Sequence, residues 1–268
     1  MSPIITTISN SGARGKVRPP GAAPVAAPFF SDDFAGPARN NANGFTWNST
    51  GARVAPVVFD GFNCLRFRFG PDAIGEDSSA EQRFEMGRNL SELWVEYDLH
   101  IPSNFALRAD FPANNKFLAL WTDTYDAAGR ITVVLEYERN GTDSSRSRSI
   151  ANGSESQAAG MLSNAGDRTY TESFITAAKA GAWYRIRVHF RMASASGQTN
   201  GVFEVMMGNE LVWRSRSDYV WYPVNGSSVA YIRNGYLMGW ANSGFTDETD
   251  FHLRDIKFYD SDPQWGMV

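Results

Sequence analysis

The segment from residue 233 to residue 245 carries side chains of the kind that hold sugars. It reads as an apolar strand that begins at the turn signal Asn234-Gly235, and its two rings and one amide are Tyr236, Trp240 and Asn242. Aromatic faces pack on the C–H groups of a pyranose, while amide and guanidinium groups bond its hydroxyls. Two further rings could extend such a platform: Trp121 and Tyr125. The competing interpretation is that each ring belongs to the core.

Other reactive side chains give weaker signals. The three histidines, His100, His189 and His252, are scattered and lack the neighbouring cysteines or acids of a zinc site. We therefore interpret each as an ordinary residue on a strand face. The single cysteine, Cys64, excludes an internal disulfide, and its place beside an alternating strand predicts a buried thiol.

Composition bounds the class of protein. A chain of 268 residues can form one large β domain, which uses about 200–250 residues. The net charge of −4 gives no sign of a nucleic-acid partner. No apolar run approaches the ~18 residues that a membrane span needs, so no membrane partner is expected. The N-terminus lacks the apolar block of a secretory signal.

Short strand patterns dominate the chain after residue 28. The clearest lies at residues 183–190, where Tyr184, Ile186, Val188 and Phe190 alternate with outward-facing polar residues. Residues 139–173 are rich in Ser, Asn and Gly and predict a long loop. Many strands with almost no helix predict an all-β fold over residues 29–268, a two-sheet antiparallel β-sandwich.

Residues 1–28 differ from the rest of the chain. They are rich in Pro, Gly and Ala and contain almost no large apolar side chain. Such a segment cannot bury enough surface to offset its ordering entropy, so it predicts an extended N-terminal arm. The arm is locally basic, through Arg14, Lys16 and Arg18. It is either a solvated tail or a docking arm that orders on a larger partner.

The order of these motifs resembles the concanavalin A-like jelly rolls, in particular polysaccharide lyases of the alginate, glucuronan and heparin lyase type. The resemblance covers the layout of residues 29–260. Residues 79–86, Ser-Ala-Glu-Gln-Arg-Phe-Glu-Met, are similar to the Arg-Ser-Glu-Leu-Arg strand of those lyases, with Glu81 and Arg83 in the charged places. Residues 235–243 resemble their Tyr-Phe-Lys-Ala-Gly-Val-Tyr-Asn-Gln strand, and Gly239 and Asn242 match it.

The chain departs from the lyase pattern at its catalytic positions. The family lysine falls on Leu237, the catalytic tyrosine falls on Ala241, and the strand with the family Gln-x-His pair reads Phe-Leu-Ala-Leu-Trp at residues 117–121. β-Elimination needs a cation on the uronate carboxylate, a base for the C5 proton and an acid for the leaving oxygen. The resemblance implies Arg83 for the first role and Tyr236 or Tyr125 for the last. His189 could be the base only if its face is the concave one.

The resemblance also implies a metal site and raises a related activity, glycoside hydrolysis, which the spacing of the acidic residues does not favour. Folds of this type often hold calcium between their first and last strands, and carboxylates suit that ion. Asp32 and Asp33, with Asp255, could hold a structural Ca²⁺; no cofactor is required for the expected function. The Glu-x-Asp-x-x-Glu strand of the related glycosidases has no counterpart with that spacing.

Three hypotheses follow. The first is a non-catalytic jelly-roll module, virion-borne or extracellular, that binds a polysaccharide or cell-surface glycan. Residues 1–28 would anchor it to a larger assembly such as a phage capsid or tail. Its predicted glycan surface is Glu81, Arg83, Trp121, Tyr125, Tyr236, Trp240 and Asn242. The alternative is a lyase that cleaves uronate-containing polysaccharide, and the third is a structural cement protein with no affinity for sugar.

Overall fold

The computed structural model describes residues 25–36, 42–109, 113–123, 132–139, 145–152, 179–214, 220–223 and 230–265. This part of the chain is all-β and folds into two antiparallel sheets that pack as a sandwich, which confirms the predicted fold class. Within it, no helix has the length and apolarity that a bilayer crossing would need. Tyr125 and the three basic residues of the arm lie outside the described residues.

The strands are numbered in chain order. They are β1 (Phe30–Asp32), β2 (Thr46–Thr50), β3 (Val54–Phe59), β4 (Phe62–Phe69), β5 (Asp77–Leu90), β6 (Glu92–Ile101), β7 (Ala113–Trp121), β8 (Thr132–Arg139), β9 (Ser145–Asn152), β10 (Ala182–Arg191), β11 (Val202–Met207), β12 (Glu210–Arg214), β13 (Ile232–Asn242) and β14 (Thr249–Tyr259). The eight-stranded sheet has the order β12-β11-β10-β6-β14-β4-β3, with β1 paired to β14. The six-stranded sheet has the order β2-β5-β13-β7-β8-β9.

One apolar core fills the space between the sheets. In β10, the predicted inward residues Ile186, Val188 and Phe190 are buried in that core, as the period-two pattern requires. β5 alternates in the same way and sends Phe84 inward. The ring of Phe84 lies 5.5 Å from that of Phe45 and 5.0 Å from that of Phe258, which belongs to β14 of the other sheet. Packed aromatic rings, edge to face between Phe84 and Phe258, therefore join the two layers.

Two local predictions were wrong. Residues 145–152 lie within the predicted long loop, yet they form β9, which pairs with β8 along its whole length. β9 ends the strand order of its sheet, and its alternation of Ser and Arg has no apolar period to reveal it. Asn234-Gly235, predicted as a turn, lies inside β13. The backbone hydrogen bonds to the neighbouring strands outweigh the local turn preference of these residues.

The outer face of the eight-stranded sheet carries a ladder of charges. Asp98 on β6 accepts a hydrogen bond from Arg185 of β10 at 2.7 Å and one from Arg254 of β14 at 3.2 Å. The side-chain hydrogen bond to Asp98 raises the pKa of Arg185, and it outweighs burial, which acts in the opposite direction. These cross-strand pairs neutralise one another along the face.

Two histidines sit at the β6–β14 pair of that face. His252 is 6% exposed and stacks on Phe59 with ring centroids 3.8 Å apart, while the ring of His100 lies 5.9 Å from it. Burial, reinforced by the neighbouring His100 and opposed by Asp250, lowers the pKa of His252 to about 4. Both rings are therefore held neutral at pH 7.

We expect His252 to make folding stability depend on pH. Its folded pKa of about 4 lies below the ordinary value of about 6.5, so the unfolded chain binds more protons between these values. Its contribution is complete above pH ~6.5 and is lost as the pH falls toward 4, by less than about 3 kcal/mol in total. Urea unfolding of the wild type and of His252→Phe between pH 4 and 8 measures this. The groups that also face the ring, His100, Asp250, Arg66 and Arg68, are retained in both proteins.

The variant should show a shallower fall in stability than the wild type. At pH 8 the difference in unfolding free energy between the two proteins measures only the packing of the new ring. The differences at lower pH are compared with this value. Equal pH slopes in both proteins would contradict the assignment.

Candidate functional site

The outer side of the six-stranded sheet gathers the charged and aromatic residues that the sequence singled out. β13 lies between β5 and β7, so residues distant in the chain become neighbours. Tyr236 is directly opposite Arg83, and Trp240 is opposite Ser79. Opposite residues of an antiparallel pair lie on the same face. We call this surface the candidate face and define it by Glu81, Arg83, Lys116, Trp121, Tyr236, Trp240 and Asn242.

Arg83 is at the centre of the candidate face. Its Nε donates a hydrogen bond to Glu81 Oε1 at 2.7 Å, and its guanidinium carbon lies 6.0 Å from the ring centroid of Trp121. The rings of Trp121 and Tyr236 are tilted by 55° relative to each other, with centroids 5.7 Å apart. Together with Ala119 they form a small buried apolar cluster that is separate from the main core. The sheet therefore holds a cation against aromatic rings.

A distortion in β13 positions Tyr236. Met238 and Gly239 have positive φ values of 58° and 138°, and the pairing of β13 with β7 shifts register between Leu237 and Ala241. A Cβ at residue 239 would lie 2.5 Å from Cε2 of Tyr236, so the ring lies directly over the glycine. This close approach gives Gly239, which matches the lyase pattern, a physical role. Leu237 and Ala241 belong to the main core.

Asn242 organises one end of the candidate face. Lys116 Nζ donates to its Oδ1 at 2.9 Å, and its own Nδ2 donates to Asp77 Oδ1 at 2.7 Å. Trp240, two residues earlier, is 40% exposed and presents its ring to solvent. Lys116 and Asp77 were not predicted from the sequence, because no alternating strand pattern includes them. Polar residues at strand ends carry no alternation signal, and only the cross-strand register reveals them.

Arg233 and Tyr231 mark the opposite end of β13. Arg233 donates to Glu85 Oε1 from Nε at 2.8 Å and lies 2.6 Å from the same oxygen through Nη2. Tyr231 donates its hydroxyl to the carboxylate of Asp123 at 3.0 Å. The described cations of this sheet are thus tied to acceptors, which fixes their rotamers.

The structure does not bring His189 to the candidate face. His189 lies on β10 of the eight-stranded sheet, where its ring stacks on Trp94 at 4.6 Å and its Nε2 is 2.9 Å from Glu92 Oε1. The condition for its role as a base, a shared face with Arg83, is therefore not met. The period-two pattern correctly placed His189 outward, but it does not tell which sheet a strand joins.

The three predicted calcium ligands are engaged by protein groups. Asp32 accepts hydrogen bonds from the backbone N–H of Phe34 at 2.8 Å and from Trp47 Nε1 at 3.0 Å. Asp255 accepts from Lys257 Nζ at 2.9 Å, and Asp33 accepts from the backbone N–H of Ala35 at 3.0 Å. Within the described ranges, no three metal-binding side chains come together. The calcium site stays a prediction from the sequence.

Comparisons with known proteins bear on the fold. No protein-family model matches the chain, and no curated relative was found by sequence. Among solved structures, an endo-β-1,4-glucuronan lyase from the fungus Trichoderma reesei superposes with a TM-score of 0.53 at 15% identity, over 89% of this chain and 99% of its own.

Two alginate lyases are similar as well. One, in complex with alginate trisaccharide, has a TM-score of 0.52 at 12% identity, over 80% of this chain and 86% of its own. The other, from a Chlorella virus, has a TM-score of 0.50 at 13% identity, over 81% of this chain and 93% of its own. At these identities the likeness shows the fold alone. The expected jelly-roll fold is confirmed.

The backbone of β13 should not tolerate a side chain at residue 235. A Cβ there would lie 2.3 Å from Cζ of Phe84 and 2.6 Å from the carbonyl oxygen of Ala119. We expect Gly235→Ala to lower the free energy of unfolding by about 3 kcal/mol, because the core and the ladder must both shift. Chemical denaturation with tryptophan fluorescence measures the change.

A matched control is Gly61→Ala. Gly61 has a φ of 77°, but a Cβ there meets no atom within 4 Å, so only the backbone cost of about 1 kcal/mol applies. Equal losses in the two variants would contradict the close packing beneath Gly235.

Proposed function

We propose that the protein binds a polysaccharide along the candidate face and does not cleave it. The observation that carries this proposal is the exposed ring of Trp240 on the same sheet face as Arg83 and Asn242. The rings of Trp121 and Tyr236 are buried beneath this face and support it from below. Rings with a cation and amides beside them are the chemistry that recognises sugar rings and their hydroxyls.

The candidate face is long enough for several sugar units. From Tyr236 to Asn242 the strand spans six residues, which at ~3.3 Å per residue is roughly 20 Å. Arg83 lies opposite Tyr236, at one end of that span. At the other end, Asn242 is hydrogen-bonded to Lys116 and to Asp77. Trp240, which is exposed between them, would stack on the carbohydrate. An extended oligosaccharide fits this arrangement better than a single sugar.

The structural neighbours support a carbohydrate ligand. One of them is an alginate lyase in complex with alginate trisaccharide, and the other two are named as glucuronan and alginate lyases. Display on a larger assembly through residues 1–28, and the virion or extracellular location that goes with it, stay predictions from the sequence.

Removing the exposed ring of Trp240 should weaken binding. We expect Trp240→Ala to lower affinity for a bound oligosaccharide by about tenfold, since it removes the stacking surface without touching the core. A glycan array identifies a ligand, and calorimetry with that ligand compares the variants. Phe62→Ala is the control, because Phe62 is 45% exposed and lies on the other sheet. Equal affinity of Trp240→Ala and wild type would exclude the candidate face.

A lyase is the second candidate, and the register of β5 and β13 is the observation that favours it. Tyr236 is directly opposite Arg83, so a phenol and a guanidinium share one face. Arg83 would hold the uronate carboxylate and Tyr236 would protonate the leaving oxygen. Tyr236 is only 1% exposed, so a polysaccharide would reach its phenol only after neighbouring side chains moved. The described part of the face contains no imidazole, and its nearest carboxylate, Glu81, already accepts a hydrogen bond from Arg83. Binding is therefore the first proposal.

Absorbance of the new unsaturated bond separates the two candidates. We expect no increase when the protein is incubated with alginate, glucuronan or heparan-type polysaccharide, even where binding is detected. An increase that disappears in Tyr236→Phe and in Arg83→Ala would replace the binding proposal by catalysis. An increase that survives both substitutions would indicate a contaminating enzyme, and the binding proposal would stand.

A further inference from the structure

The charges on the candidate face and at its two ends are balanced. The charged side chains that are hydrogen-bonded there come from three acids and three bases: Asp77, Glu81, Glu85, Arg83, Lys116 and Arg233. Asp123, just after β7, adds a further acid, whose carboxylate accepts from Tyr231. The described part of this face therefore offers a ligand no excess of positive charge.

The register of β8 and β9 continues this balance beyond β7. Glu136 is opposite Arg148, and Glu138 is opposite Arg146. These positions contribute as many acids as bases, so their formal charges cancel.

The two guanidinium groups of the face already hold carboxylates of the same sheet. Arg83 is bonded to Glu81 at 2.7 Å, and Arg233 lies 2.6 Å from Glu85. A ligand carboxylate would have to compete with these fixed partners, whereas a polyuronate brings one such charge with every sugar. Binding a polyuronate therefore sets carboxylate against carboxylate along the strand.

Trp240, the exposed ring of the face, lies between two of the acids. In the register it is opposite Ser79, and Asp77 and Glu81 lie two residues to either side of Ser79 on β5. Both acids are thus diagonal neighbours of Trp240, a distance that long side chains span. Asp77 is exposed, so its carboxylate can meet a ligand directly. A sugar stacked on Trp240 would lie beside these charges.

The chemistry of a carboxylate selects which sugar can lie there. An ionised carboxylate accepts hydrogen bonds and donates none. A sugar hydroxyl can donate to it, whereas a uronate carboxylate is also only an acceptor and carries the same charge. Like charges placed side by side reject a ligand, and proteins use them for specificity. The surroundings of Trp240 thus favour a hydroxyl over a carboxylate.

We propose that the candidate face takes a neutral polysaccharide and rejects polyuronates, with Asp77 accepting a hydroxyl of the sugar that stacks on Trp240. This inference rests on the binding function proposed above and names the class of its ligand. The lyase alternative, which needs a uronate carboxylate on Arg83, predicts the opposite preference.

The test uses the full chain, calorimetry and two matched pairs of hexasaccharides. Cellohexaose is compared with the β-1,4-glucuronan hexasaccharide, and β-1,4-mannohexaose with the β-1,4-mannuronan hexasaccharide. The members of each pair differ only in the oxidation of C6. We expect the neutral member of at least one pair to bind about tenfold or more tightly than its uronate counterpart.

A uronate member that binds as tightly as its neutral counterpart, or more tightly, would overturn this inference and leave the proposed binding function intact. Where neither pair binds, the hits of the glycan array decide in the same way. Neutral glycans there support the inference, and uronate-containing glycans overturn it. No hit there would remove the proposed function as well.

Asp77→Asn tests the source of the selectivity. It removes one charge beside Trp240, and Asp77 is exposed at the first residue of β5, so the fold should be retained. We expect the ratio of neutral to uronate affinity to fall by about threefold or more, because the uronate is repelled less.

Asp60→Asn is the matched control. It removes the same charge from an exposed residue between β3 and β4 of the other sheet, and it should leave the affinity ratio unchanged. Equal changes in the two variants would show an effect of overall charge alone and would overturn the role assigned to Asp77. The hexasaccharide comparison on the wild type stands independently of both variants.

Discussion

The ring of Phe84 beneath the backbone of Gly235 is the contact on which the rest of the molecule depends. It fills the space where any larger residue would place a Cβ, so β13 can lie flat between β5 and β7. The same ring stacks on Phe45 and meets Phe258 edge to face, and the second contact ties the two sheets together. Because side chains alternate along a strand, Tyr236 then faces away from the core. The packing of Phe84 beneath Gly235 therefore determines both the core contact between the sheets and the outward position of Tyr236.

The sequence predicted the layers well and the assignment of faces less well. Alternation in β10 correctly separated Ile186 and Val188 from His189. It could not tell that β10 joins the eight-stranded sheet, because register and sheet membership are set by partners far away in the chain. Asn234-Gly235 misled for a related reason, since the glycine serves close packing rather than a turn.

The aromatic residues and the arginine of the candidate face could be predicted from the sequence. The polar residues around Asn242 could not. Trp121, Tyr236 and Trp240 were identified from residue type, and Arg83 from the resemblance of residues 79–86 to the lyase strand. Lys116 and Asp77 were missed, since their contacts with Asn242 depend on the register of three strands. Strands hold these side chains more rigidly than loops would, and the hydrogen bonds between them reduce the entropy lost when a ligand binds.

The confinement of the candidate face to one sheet has a further consequence for valency. Its residues lie on β5, β7 and β13, so the described residues place this surface on a single side of the sandwich. Avidity requires two or more such surfaces that the same ligand can reach. A single molecule of this kind would coat a polymer strand, and joining separate strands into a gel would take several copies held together.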